Sequence, residues 1–226
     1  MERQELPCSR MRFWQSAAVI LWLPMHTWGF PRLLLRLYPG IGGINLNFWN
    51  YAVGAGLLSL LCWSFLRRDF DRIWENPGKI LGMALGGCVL LMGANMAMSA
   101  IVFALVPQDN PNNQAVFDLV RTGRGRILAT TVILAPVVEE LIFRGGVFGL
   151  VRRGNRFAAY AVCILLFGVY HTWQYALADP ANWLFVLEYL PAGFLLCFCY
   201  DRTECIWTPI LLHMVNNSLT LLISGV

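Results

Sequence analysis

The chain has 226 residues, 58% hydrophobic and 13% charged, with a mean hydropathy of +0.57. Soluble domains carry about 25% charged residues, so this composition sets aside a soluble globular protein and predicts an all-α, polytopic transmembrane helical bundle forming a single domain over residues 1–226. The net charge is +4, but the basic residues form neither a run nor an aromatic-interleaved face, which argues against nucleic acid as a partner.

A helix needs about 20 apolar residues to cross roughly 30 Å of hydrocarbon. Hydropathy, punctuated by Gly, Pro and Arg, predicts about seven spans, within a range of six to eight: 13–30, 46–66, 80–106, 127–151, 157–176, 183–200 and 205–224. The first contains Pro24 and Pro31 and lacks a clean small-x-small cleavage site, so a retained helix is expected rather than a signal peptide. Its His26 reads as structural. In the third span, Gly82 and Gly86 form a small-xxx-small pair expected to bring helices close. Residues 108–126, with Asp109-Asn110-Pro111-Asn112-Asn113, are expected to form an outward-side loop with an amphipathic turn over 115–120. Trp28, Trp49, Trp183 and Trp207 fall near span ends, as interface anchors do. Cys8, Cys62, Cys88, Cys163, Cys197, Cys199 and Cys205 show no CxxC or paired zinc spacing and read as small core hydrophobes.

The 17 Lys+Arg distribute unevenly between the two sides of this topology. Eleven (Arg3, Arg10, Arg12, Arg67, Arg68, Arg72, Lys79, Arg152, Arg153, Arg156 and Arg202) share one side, five (Arg32, Arg36, Arg121, Arg124 and Arg126) the other, and Arg144 lies inside a span. Positive charge favours the cytoplasm, so the N-terminus is expected inside and the C-terminus outside. The short loops point to a bacterial inner membrane.

Three polar insertions interrupt the apolar spans. The first, Val137-Val138-Glu139-Glu140-Leu141-Ile142-Phe143-Arg144, sets three charges in a segment otherwise uncharged from Ile127 to Val151; unpaired at the centre of a bilayer they would cost roughly 8–10 kcal/mol. Glu140 and Arg144 are four apart and share a helix face, which suits a structural ion pair. Glu139 is rotated about 100° away and free of that pair, so it is a candidate general base for activating water. Pro136, three residues earlier, either loosens the backbone or simply kinks it. The second insertion is Phe167-Gly168-Val169-Tyr170-His171, where the histidine is either a satisfied core residue or a partner of the carboxylate. In the third, His213-Met214-Val215-Asn216-Asn217, His213 and Asn217 share a face and offer convergent donors of the kind that stabilise an oxyanion, while Asn216 faces elsewhere. Polar groups in lipid cluster to satisfy one another. Glu188, in the sixth span, either binds substrate or pairs with an arginine near the membrane surface.

The order EExxxR, FxxxH, HxxxN, each on its own span, resembles the CPBP family (CAAX protease and bacteriocin-processing, or Abi) of intramembrane glutamic endopeptidases, and the resemblance covers residues 127–222. It implies a catalytic core there. Glu139 and His171 would activate water, His213 and Asn217 would form the oxyanion hole, and Glu140, Arg144 and Phe167 would support them. It also implies no cofactor, membrane lipids as surroundings, and a hydrophobic or lipidated protein or peptide substrate cut near its end. The oligomeric state is not legible. Two alternatives stay open: a zinc-dependent membrane metalloprotease, since one carboxylate and two histidines are a known ligand set, and a non-catalytic bacteriocin-immunity or transport-type protein.

Overall fold

Prolines and freed backbone carbonyls decide where the apolar helices bend. The computed structural model describes residues 10–225 and is helical wherever those residues have regular structure. Arg3 and Cys8, counted above among the basic residues of one side and the core cysteines, lie outside the described residues.

Helix α1 (Phe13–Pro24) continues through a π-helical turn, Met25–Gly29, into α2 (Phe30–Leu37). Pro24 has no N–H to offer the carbonyl four residues back, and the widened turn follows it directly. Helix α3 (Gly43–Leu61) meets α4 (Trp63–Glu75) at a bend of 83°. The bend exposes the carbonyl of Leu61, which accepts from the buried Gln15 Nε2 at 2.9 Å. The second span was expected to run unbroken to Leu66; the straight helix stops at Leu61 and the chain turns there. Helix α4 is amphipathic, with Asp69 fully buried on one face and Trp63 and Trp74 exposed on the other, the pattern of a helix lying in the membrane interface.

Helix α5 (Pro77–Leu105), with 29 residues, is long and apolar enough to cross a membrane. Its close-packing glycine is not one of the expected pair: a Cβ at Gly82 or Gly86 would meet nothing within 4 Å, whereas at Gly87 it would lie 2.6 Å from Leu212 Cδ1. A small-xxx-small pattern gives a spacing without saying which face meets a neighbour, and here Gly82 and Gly86 face outward.

The expected loop over 108–126 is largely helix: α6 spans Pro111–Ala129. The Asn/Pro cluster is its N-cap, with Asn110 Oδ1 accepting from the N–H groups of Asn112 (3.0 Å) and Asn113 (3.4 Å) and Pro111 opening the first turn. Gly123, at φ −149° and ψ 55°, kinks it. A π-helical stretch Thr130–Leu134, α7 (Ala135–Glu140), a second π-helical stretch Leu141–Phe148 and α8 (Gly149–Val151) continue the same rod. Helix α9 (Arg156–Ala178), a 3₁₀ segment Pro180–Phe185, α10 (Val186–Thr203) and α11 (Trp207–Ile223) complete it.

Two contacts fix the last helices. The buried Asp69 accepts from the Ile206 N–H at 2.7 Å, anchoring the start of α11. At one end of the bundle Asp201 joins Arg152 and Arg156, each at 2.5 Å, and accepts from Tyr160 Oη at 3.0 Å, tying α9 to α10. Six cysteines, Cys62, Cys88, Cys163, Cys197, Cys199 and Cys205, are free and buried, in keeping with their reading as core residues.

Every expected span falls on helix. Taken singly, Pro77–Leu105, Arg156–Ala178 and Pro180–Thr203 are long and apolar enough to cross a membrane, and the bent pair α3–α4 qualifies as a fourth, broken span. The others are divided by the π-helical stretches or, as with α11 at 17 residues, are short.

Candidate active site

The site begins with a backbone defect. In the stretch Thr130–Leu134 the Ala135 N–H reaches back to the carbonyl of Thr130, so the carbonyl of Thr131 loses its α-helical donor. Its π-helical donor would be residue 136, a proline with no N–H. Asn217 Nδ2 supplies the missing bond at 2.9 Å, which joins α11 to the turn just before Glu139.

One turn further on, Glu140 and Arg144 are both fully buried and paired, Nη1 to Oε1 at 3.0 Å. Arg144 Nη2 also donates to the carbonyl of Gly193 at 3.4 Å, and its Cζ lies 4.4 Å from the centroid of the Phe167 ring. Gly193 also lets its helix lie close against Ile164 of the neighbouring one, since a Cβ there would lie 3.1 Å from Ile164 Cα. The same Glu140 oxygen takes His213 Nδ1 at 2.8 Å. The ion pair therefore does more than join helices: it fixes the imidazole of α11. A carboxylate can only accept, so Nδ1 carries the proton and the other face of the ring, Nε2, turns toward Glu139.

Glu139 is 4% exposed and faces a different set of groups. His171 Nε2 lies 3.6 Å and His213 Nε2 3.9 Å from its Oε2, an oxygen that receives no direct hydrogen bond. His171 Nδ1 donates to the carbonyl of Phe167 at 2.9 Å, which again points Nε2 at the carboxylate. Tyr51 Oη donates to Glu139 Oε1 at 3.3 Å and lies 3.1 Å from Tyr170 Oη. His26 packs edge-on to Tyr51 with ring centroids 4.5 Å apart.

All these groups open on one cavity of about 850 Å³, lined among others by Glu139, Phe167, His171, His213 and Asn217. Asn216, expected to face elsewhere, lines it too, and its Nδ2 donates to Asn217 Oδ1 at 3.4 Å; sequence spacing fixes the angle between neighbours on a helix but not the width of the cavity they face. Glu140 and Arg144 lie behind the wall. Tyr51, Tyr170 and His26 were not singled out for the site by sequence reasoning. Tyr170 precedes His171 directly, and Asn50-Tyr51 is a polar pair in the second span, which was the available signal. Among the described residues, no three His, Cys, Asp or Glu side chains are arranged to hold a metal ion.

These features define an integral membrane protein, all-helical among the described residues, whose helices enclose a polar cavity bearing a buried carboxylate and facing imidazoles. Residues 125–219 match the family model described as Rce1-like, type II CAAX prenyl endopeptidase. That segment contains EExxxR, FxxxH and HxxxN, so the resemblance these motifs carry is shown there as a similarity to this family. The chain is 30% identical over 142 residues to the "Putative membrane peptidase YdiL" of Bacillus subtilis (strain 168), covering 62% of this chain and 54% of that protein. It is 26% identical over 153 residues to the "Membrane-embedded CAAX protease MroQ" of Staphylococcus aureus (strain USA300), covering 63% and 58%. The chain thus spans little more than half the length of the curated relatives it matches. No solved structure matches it significantly.

Proposed function

We propose that the protein is an intramembrane endopeptidase in which Glu139 activates a water molecule to hydrolyse a peptide bond of a membrane-associated or lipidated protein or peptide. The observation that carries this reading is the spacing around Glu139 Oε2. Two imidazole nitrogens approach it at 3.6 and 3.9 Å, just beyond direct hydrogen bonding, and such gaps are commonly bridged by water.

In this reading Glu139, with His171, takes a proton from that water as its oxygen adds to the scissile carbonyl carbon. The oxyanion accepts from the remaining Asn217 N–H and from His213 Nε2, with His213 protonated on both nitrogens and held through Nδ1 by Glu140. Collapse of the tetrahedral species breaks the C–N bond. The proton on Glu139 passes to the leaving amine and the remaining water proton follows from the new carboxyl group, which gives a carboxylate and an ammonium product. The residues 127–222 form the catalytic core, and the cavity admits the substrate from the membrane.

The family description and the names of the relatives support a protease, and their bacterial sources support a bacterial cell membrane; the excess of Lys and Arg on one side supports an N-terminus in the cytoplasm. The test is cleavage of membrane-anchored peptides by wild type, Glu139→Gln and His213→Ala in lipid nanodiscs, each with and without a zinc chelator, followed by mass spectrometry of the products. Loss of cleavage in both variants and indifference to chelation are expected. Activity that is lost to a chelator and restored by zinc would replace this reading with a metalloprotease.

A further inference from the structure

The charges around the cavity balance except at one place. Glu139 faces His171 and His213, and Glu140 is matched by Arg144 and His213. The cavity lining includes a second carboxylate, Glu188, and no lysine or arginine. Its hydrogen-bond partner is neutral: Asn110 Nδ2 donates to Oε2 at 2.7 Å. Among the described residues no ion pair reaches it, so the arginine pairing weighed from the sequence is not made, and Oε1 is left for another donor.

Glu188 is also placed beside the reacting groups. It lies in the first turn of α10 and directly precedes Tyr189, whose ring stacks on that of His171 with centroids 4.5 Å apart and planes 19° apart. The arrangement is rigid. Asn110, itself buried, holds Glu188 while its Oδ1 accepts from Tyr189 Oη at 3.3 Å, and Asn112 Nδ2 donates to the same hydroxyl at 3.1 Å. The N-terminus of α6 therefore fixes both the carboxylate and the ring that orients His171.

Resting on the protease reading above, we infer that Glu188 is a specificity residue that selects a substrate with a basic side chain, lysine or arginine, flanking the scissile bond. A carboxylate at the wall of a membrane-embedded cavity, without a cationic partner from the protein, is stabilised by a cation brought in by the ligand. An acidic side chain at that position is repelled, and a neutral one leaves the carboxylate unmatched. Glu188 acts on binding and takes no part in proton transfer.

The test uses the full chain in nanodiscs of zwitterionic phosphatidylcholine, so that lipid charge does not contribute. The probes are acylated, fluorescently labelled peptides that differ only in carrying Lys, Gln or Glu at each position in turn. Binding is read by anisotropy and cleavage by mass spectrometry. At one position the Lys peptide should bind about tenfold tighter than the Gln peptide, the discrimination of one partly desolvated ion pair, and the Glu peptide more weakly still. Glu188→Gln keeps an acceptor for Asn110 and should erase the difference, and Glu188→Lys should reverse it. A wild type that binds all three equally, a preference that survives in Glu188→Gln, or no binding of any peptide would overturn the inference. Charge-selective binding without cleavage would sink the protease reading, and with it the place beside a scissile bond, and leave Glu188 as the cation-selecting group of the cavity; cleavage with charge-indifferent binding would overturn the role of Glu188 and leave the protease reading standing.

Discussion

Arg144→Met tests whether the buried ion pair is the structural base of the site. The guanidinium and the Glu140 carboxylate are both fully buried, 3.0 Å apart, and the substitution keeps an unbranched apolar stem in the same space. It leaves Glu140 with His213 as its remaining partner and removes the cation from above the Phe167 ring. Removing one partner of a buried pair costs about 3–5 kcal/mol, because the other charge remains desolvated, and the lost cation–π contact of about 1–2 kcal/mol falls within that figure. Unfolding free energy in mixed micelles, from denaturant titration followed by circular dichroism, should fall by that amount. Adding Glu140→Gln to Arg144→Met should recover part of the loss, since a neutral amide oxygen still accepts from His213 Nδ1 at no charge cost. A single-variant loss below about 1 kcal/mol, the range of solvent-exposed pairs, would refute the argument that this pair is desolvated.

Three further outcomes follow from the same geometry. Tyr51→Phe removes the hydroxyl that donates to Glu139 Oε1; it should lower kcat/KM about tenfold while changing stability by no more than about 1.5 kcal/mol, and an unchanged kcat/KM in a peptide-cleavage assay would show that Tyr51 does not position the carboxylate. Asn217→Ala leaves the Thr131 carbonyl without its donor and takes an N–H from the oxyanion site, so kcat should fall by about 10²–10³ and stability by about 1–3 kcal/mol; a drop in stability alone would restrict Asn217 to a structural part. Gly193→Val would push a side chain against the Ile164 backbone and should cost about 1–3 kcal/mol from overpacking, read by the same titration; wild-type stability would mean that α9 and α10 are looser than the structure shows.

The sequence made the helical class and the meeting of the three motifs legible for one reason: charged and polar residues in an apolar span must find each other. The i, i+4 spacing of Glu140 and Arg144 was enough to pair them. Spacing within one helix could not reveal that Glu140 also holds His213, because that contact depends on how α11 packs against the Glu139–Glu140 turn. Two local rules competed with stronger ones. The Asn/Pro-rich stretch 109–113 reads as a loop by composition, yet Asn110 followed by Pro111 is a helix start, and the helix it begins positions Glu188 and Tyr189. Gly82 and Gly86 have the right spacing for close packing but the wrong face, whereas Gly87 next to them meets Leu212. Tyr51 and His26 were illegible as site residues, since a tyrosine or single histidine in an apolar helix is ordinary; only the fold of residues 13–61 around the Glu139 helix brings them in.

The central claim, that Glu139 activates the water, is tested most directly by single-turnover kinetics of a cleaved membrane-anchored peptide with wild type and Glu139→Gln, alongside peptide affinity for both. Glutamine preserves size and an acceptor for Tyr51 but accepts no proton. Glu139→Gln should leave the dissociation constant unchanged and reduce the cleavage rate by at least about 10²-fold, the usual contribution of a positioned general base. A Glu139→Gln rate within tenfold of wild type, with binding intact, would contradict it.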